Sequence, residues 1–299
     1  MSKKHISLYM SQGLGNQLFI YTYILNLIAR YVDDDLRITI MFNRNFKSGR
    51  EFMLKELIEL DSNIIKFKFN NDINYLLRAV ILKIVKSDKK LALFRIFKEK
   101  SFFEFEQRLL QLPNKSFVIG YFISNAYVEN VFPLVQNRLA KWLDMYSLPK
   151  SIAGLDDPHV LILHIRRGDT VGKNSKTRGL LTSKYYLNAI NSIEFKSGIK
   201  FKHIIAVTDD IETSKKELIS IPISRWLGPQ DLNAIETLKV FIEARNFIGA
   251  NSTLSWWGVR LSNDVSRSCK VLPRPWLGFR ESDADKALFF SNLQYVDAC

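Results

Sequence analysis

The sequence predicts an α/β protein built from two Rossmann-like domains, and three observations lead there. Aliphatic runs fit for buried parallel strands, such as "HVLILHI" (159–165) and "HIIAVTDD" (203–210), alternate with helix-length segments. The chain also opens in that order: "HISLYM" (5–10) as a strand, "SQGLGNQ" (11–17) as a glycine loop, "LFIYTYILNLIARYV" (18–32) as a helix and "RITIMF" (37–42) as a strand. Third, polar clusters follow the strand candidates, and open parallel sheets bind ligands beyond their carboxyl ends.

Residues 43–150 are rich in Lys, Phe and Asn and read as helix or loop, with "KSFVIGYF" (115–122) as their clearest strand. Beyond "PKSIAGLDDP" (149–158), the expected boundary, the alternation is cleaner. Strand 159–165 is followed by a helix at 183–195, a strand at 203–210, a helix from Ile211 to Ser220 and a short strand at 223–226. A helix at 231–245, a strand entering a loop at 246–252 and a helix opening at 255–262 complete the pattern. The expected domains are 1–155 and 156–299, facing a central cleft, with the last helix free to return to the N-terminal one.

Composition narrows the partners. A net charge of +13 points to anionic ones: nucleic acid, a membrane surface or phosphorylated substrates. Residues 75–100 carry eight Lys/Arg against Asp88 and Glu99, a pattern suited either to two helices with solvated basic faces or to a membrane surface. No signal peptide or membrane span is expected, because no apolar run approaches the roughly 20 residues a span needs. Cys269 and Cys299 are the only cysteines and suit a reducing compartment, and His5, His159, His164 and His203 lack zinc-ligand spacing.

Four clusters carry the chemistry. In "GLGNQ", Gly13 and Gly15 allow a sharp turn and close approach to a ligand, while the amides of Asn16 and Gln17 suit sugar hydroxyls. This is half of a dinucleotide fingerprint, with Leu18 at the third glycine position. In "HIRRGD" (164–169), strand alternation puts His164 and Arg166 on one side and Arg167 on the other. One arginine can then grip a phosphate bidentately while the other braces the loop against Asp169. In "VTDD" (207–210), Asp209 or Asp210 is a candidate for a base or ribose and equally for a helix cap, with Asp210 the better cap. In "GANSTLSWWG" (249–258), Ser252 and Thr253 offer hydroxyls at a helix N-terminus, a phosphate site, or act as caps above core tryptophans. "DDD" (33–35) contains an Asp-x-Asp but follows a helix directly and reads as a solvated turn. With arginines to neutralise a diphosphate, no metal is required.

Taken together, "GLGNQLF", "GYF" (120–122), "HIRRGD", "KYYLNAI" (184–190), "VTDD" and "NSTLSWWG" resemble the sequence blocks of the bacterial α-1,2-fucosyltransferases of glycosyltransferase family 11 across residues 13–258. The resemblance implies a GT-B-like fold and inverting, metal-independent transfer of fucose from GDP-fucose to a galactose 2-hydroxyl. The acceptor would be a cell-surface glycan precursor of the O-antigen type. It implies donor contacts from Gly13, Gly15, Asn16, Arg166, Arg167, Asp209, Asn251, Ser252 and Thr253, with Arg166 on the pyrophosphate. From more distant fucosyltransferases sharing the His-x-Arg-Arg block, His164 and Glu236 would meet guanine. Asn16 and Gln17 would face the acceptor. Thr170 stands where the family usually has an aromatic residue and Arg178 where it often has histidine; both fall in a loop that bears on the acceptor. Asp169, the acid nearest the arginines, is the candidate base.

Competing readings are a fucosyltransferase of another linkage, an inactive nucleotide-sugar binder, and a basic nucleic-acid-binding protein. The last lacks any recognised nucleic-acid module. The expected setting is the cytoplasm, peripheral at the inner membrane face, with a galactose-terminated, lipid-linked oligosaccharide as partner.

Overall fold

The structure, a computed structural model, describes residues 3–10, 12–42, 51–69, 87–168, 179–262, 269–276, 282–291 and 294–298. It divides into two compact units, Met1–Trp142 and Leu143–Cys299, each with its own parallel sheet. The fold class is α/β, GT-B-like in having two Rossmann-like halves.

In the first unit, β1 (Lys3–Met10) is flanked by β2 (Asp35–Phe42) and β5 (Ser116–Ile119), with β3 (Ile65–Phe69) and β4 (Ile96–Lys98) at the edges. The order is β3-β2-β1-β5-β4, all parallel. Helix α1 (Leu14–Arg30) is buried almost all round from Leu14 to Leu27, so it is a core helix without the usual polar stripe. Shorter helices follow: α2 (Lys55–Glu59), α3 (Asp88–Leu93), α4 (Asn125–Glu129) and α5 (Phe132–Leu143). The basic stretch 75–100 is therefore not simply two helices. Residues 75–86 lie outside the described residues, 88–93 are helical, and Ile96–Lys98 are a strand whose Ile96 is buried in the sheet. In "DDD", Asp34 lies in a turn and Asp35 opens β2, its carboxylate 3.6 Å from Arg37.

In the second unit, β6 (Val160–Ile165) is buried throughout its length, between β7 (His203–Thr208) and β9 (Asn246–Ile248). Strand β8 (Arg225–Leu227) lies beyond β7, and β10 (Cys269–Arg274) and β11 (Gln294–Asp297) extend the other side, giving β11-β10-β9-β6-β7-β8. The helices are α6 (Ser183–Ser197), α7 (Ile211–Glu217), α8 (Ala234–Glu243), α9 (Thr253–Arg260) and α10 (Asp283–Ala287). Helix α10 lies in this second unit, where Trp256 Nε1 donates to Leu288 O just beyond it, at 2.7 Å. Trp256 and Trp257 are both fully buried, so the hydrophobic half of "STLSWWG" is core. Among the described residues no helix is long and apolar enough to cross a membrane.

Candidate active site

The topology of the second sheet locates a ligand site before any side chain is considered. From β6 the chain builds β7 and β8 on one side, then returns through α8 to β9 on the other. The connections leaving β6 and β9 run in opposite directions, and the crevice at such a switch point is where open α/β sheets bind ligands. Arg166 follows the end of β6; Asn251, Ser252 and Thr253 follow β9.

Arg166 Nη1 donates to Ser252 Oγ at 3.1 Å. Ser252 is the N-cap of α9, and its Oγ also accepts the Leu254 N–H at 3.3 Å. A half-exposed guanidinium thus stands beside a helix N-terminus, where aligned peptide dipoles concentrate positive partial charge. Two residues back on the same strand face, His164 Nδ1 lies 2.5 Å from Ser255 Oγ, one turn along α9. Burial, with the neighbouring Arg166 guanidinium, lowers the imidazole pKa to about 3, so the ring is neutral at physiological pH. Ser255 Oγ accepts the Ala250 N–H at 3.0 Å as well. His164 and Arg166 together fix α9 against β6 at two points.

Arg167 points the other way, as strand alternation requires. Its side chain is only 1% exposed. The Nε lies 2.5 Å from Glu217 Oε2 on α7, Nη1 donates to Arg166 O and Nη2 to Leu181 O, both at 3.0 Å. Among the described residues Arg167 pairs with Glu217. Asp169, expected in that position, lies outside the described residues, as do Thr170 and Arg178. Asp209 Oδ1 accepts the N–H groups of Arg167 (2.7 Å) and Gly168 (3.1 Å), holding the strand end. Asp210 caps α7, as its position suggested: Oδ1 accepts Thr213 N–H at 3.0 Å and Oδ2 the Thr213 hydroxyl at 2.7 Å. The tyrosines of "KYYLNAI" are buried struts, Tyr185 donating to Gly249 O (2.7 Å) and Tyr186 to His164 O (3.0 Å).

Three of the expected donor residues also make contacts within the protein. Glu236, expected at guanine, closes a capping box with Asn233, whose N–H it accepts at 2.8 Å. His164, also expected at guanine, turns its Nδ1 to Ser255. Asn251 donates to Gly179 O at 2.9 Å, tying the β9 loop to the segment before α6.

In the first unit the glycine loop is shorter than its sequence suggests. Helix α1 starts at Leu14 with Gly13 as N-cap, so Gly15, Asn16 and Gln17 belong to its first turn. Gly13 O accepts from the N–H groups of Asn16 and Gln17 at 3.0 and 3.1 Å. Gln17, expected to face an acceptor, is fully buried. Its Nε2 donates to Gln12 O and Glu51 O, both at 2.8 Å, and its Oε1 accepts Met53 N–H at 3.0 Å. Asn16 is half-buried at the same helix start. Sequence reasoning missed Glu99, whose carboxylate grips the backbone of the "GYF" block at the end of β5.

The profile of glycosyl transferase family 11 matches residues 5–277, nearly the whole chain. The chain belongs to that family. It is a glycosyltransferase, and the strand-end clusters lie inside the matched region. Among curated relatives it is 28% identical over 290 residues to the O-antigen biosynthesis glycosyltransferase WbnK of Escherichia coli, covering 89% of this chain and 93% of that one. It is 32% identical over 124 residues to an alpha-1,2-colitosyltransferase of Escherichia coli, covering 38% and 40%. Among solved structures, a mutant of Arabidopsis thaliana FUT1 in complex with GDP aligns at 10% identity and a TM-score of 0.45, over 91% of this chain and 70% of that one.

Proposed function

We propose that this glycosyltransferase moves fucose from GDP-fucose to the 2-hydroxyl of a galactose residue in a precursor of a cell-surface glycan of the O-antigen type, with inversion. One observation supports the donor site above the rest: the Arg166 guanidinium lies 3.1 Å from the hydroxyl that caps α9, at the β6/β9 switch point. A diphosphate seated there meets a cation, a hydroxyl and a helix N-terminus together. Inversion requires one displacement: the acceptor oxygen attacks C1 as the bond to the β-phosphate breaks, through an oxocarbenium-like state. Negative charge grows on the departing GDP, and fixed positive groups aimed at it lower that barrier. In this reading Arg166, Ser252 and Thr253 stabilise the leaving group. Arg167, Asp209 and His164 hold those groups in place, and Asp169 is the candidate base. We read the transfer as metal-independent because the guanidinium and the helix end supply the positive charge.

Incubation with GDP-fucose and a panel of galactose-terminated oligosaccharides, followed by linkage analysis, tests this. The expected product carries α-1,2-linked fucose; a different linkage, or no transfer to any galactoside, overturns it. The relative named for colitose favours a second reading, transfer of that sugar, which differs from fucose in lacking the 3-hydroxyl. GDP-colitose run in parallel decides between the two.

The setting we propose is the cytoplasmic face of a membrane, on a lipid-linked acceptor. Lys89, Lys90 and the exposed Leu93 and Phe94 support it, because they offer cations beside apolar surface. Flotation with anionic liposomes at low salt should carry the protein upward; no flotation contradicts this setting.

A further inference from the structure

The first sheet has a switch point of its own. From β1 the chain builds β2 and β3 on one side, then crosses to β4 and β5, and β5 returns to the other flank of β1. Beyond these two strand ends lie Gln12–Gly13 and Gly120–Phe122. Both turns contain a non-glycine residue in the left-handed region, Gln12 at φ +73° and Phe122 at φ +55°. Such backbone costs on the order of 1–3 kcal/mol per residue and persists only where its surroundings enforce it.

Glu99, the residue after β4, provides that enforcement. It is 4% exposed. Its Oε2 accepts the Tyr121 N–H at 2.7 Å and its Oε1 the Phe122 N–H at 2.9 Å, so one carboxylate spans two consecutive amides. Among the described residues no cation pairs with it; Arg108 is taken by Glu106. The carboxylate comes so close to the turn that a Cβ on residue 120 would lie 2.8 Å from Oε2, which explains the glycine of "GYF". Phe122 stacks on Tyr23 of α1 with ring centres 3.8 Å apart, anchoring the far side of the turn. Tyr121 is left half-buried, and its hydroxyl accepts from Gln12 Nε2 at 3.3 Å, joining the two turns.

A buried carboxylate without a cation is an expensive way to hold a turn. Placed at a switch point, it suggests geometry kept for a ligand. We propose that Glu99 is a positioning residue: it fixes the Gly120–Phe122 turn so that Tyr121, beside Gln12, contacts the acceptor sugar. A phenol ring beside the neutral Gln12 amide suits an uncharged polyhydroxylated ligand. The inference rests on the acceptor being a glycan, as proposed above. Burial raises the Glu99 pKa to about 7, against the lowering effect of the two amides and with Glu106 adding to the rise. Tyr23 and Tyr127 also face the group, and burial raises both phenols above their usual range. Of the Glu99 carboxylate and these two phenols, the carboxylate is the group brought near neutrality.

Glu99→Gln tests the proposal, because an amide offers one acceptor oxygen and turns a donor towards the other N–H. The expected result is an acceptor KM raised roughly 10-fold or more with the donor KM unchanged. Wild-type activity should fall as pH drops through about 7, and that fall should be absent from the variant. Tyr121→Phe, which keeps the ring, should likewise raise acceptor KM with the fold intact. An unaltered acceptor KM in either variant overturns the proposal. So does a parallel loss in both substrates' KM with a lower unfolding midpoint, the sign of a purely structural role. If wild-type protein transfers nothing to galactosides, it is the proposed transfer to galactose that fails. Hydrogen exchange at residues 120–122 and titration with the same oligosaccharides then judge Glu99 directly. Equal exchange and equal sugar binding in wild type and Glu99→Gln would dismiss it.

Discussion

At the β6/β9 switch point the groups that meet are a guanidinium, a capping hydroxyl and a helix N-terminus. At the β1/β5 switch point they are the Gln12 amide, a phenol and one buried carboxylate bound to backbone. The topology is the same in both, and each has a helix N-terminus beside it, α9 at the first and α1 at the second. The first adds a guanidinium to that helix end; the second adds a phenol and a neutral amide, with the Glu99 carboxylate turned inward onto backbone. In our proposal the first holds the nucleotide diphosphate and the second meets the acceptor sugar. The two adjacent arginines make a smaller contrast of the same kind. Arg166 is half-exposed at the ligand crevice, whereas Arg167 is buried and bound to Glu217 and two carbonyls.

The arginine contrast is the easiest to break. Arg166→Ala should lower kcat by about 10²–10³-fold, the scale of losing one group that stabilises transition-state charge, while the unfolding midpoint stays near wild type. Arg167→Ala should do the reverse first, costing about 3–5 kcal/mol in urea unfolding because Glu217 and two carbonyls lose their partner. Equal stability losses in the two variants would erase the distinction. Ser252→Ala sharpens the anion site: loss of the cap costs about 1 kcal/mol, and transfer should weaken less than in Arg166→Ala. Smallest is the pH signature of the other switch point. Burial holds the Glu99 pKa at about 7, above its ordinary 4.5, so its contribution to stability is full below about 4.5 and is lost as pH rises through about 7. Glu99→Gln should flatten that slope in unfolding curves taken across the window. Activity is expected to move oppositely with pH, so a stability profile unchanged by the mutation would count against a raised pKa.

Much of this was legible from residue order. The second sheet's inner strands could be read because β6, β7 and β9 are near-continuous aliphatic runs, and "HIRR" alternation correctly separated the faces of Arg166 and Arg167. The start of α1 was misplaced because Gly13 and Gly15 read as loop, although Gly13 caps the helix and Gly15 packs inside its first turn. Strands β10 and β11 carry weaker patterns, since Pro273 falls inside β10 and β11 is four residues with none buried. The cap made by Glu236 is legible in its spacing, since Asn233-x-x-Glu236 fits a capping box. Glu217 and Glu99 were not readable. Each is an ordinary acid in sequence, and only the fold brings one to Arg167 across 50 positions and the other beneath the turn after β5.

Titration of GDP and of guanosine into wild-type protein and Arg166→Ala asks most directly whether the β6/β9 switch point holds a diphosphate. The account predicts that the substitution weakens GDP roughly 10- to 100-fold, the range for a lost charge-assisted hydrogen bond, and leaves guanosine unchanged. GDP binding to Arg166→Ala with wild-type affinity would contradict it.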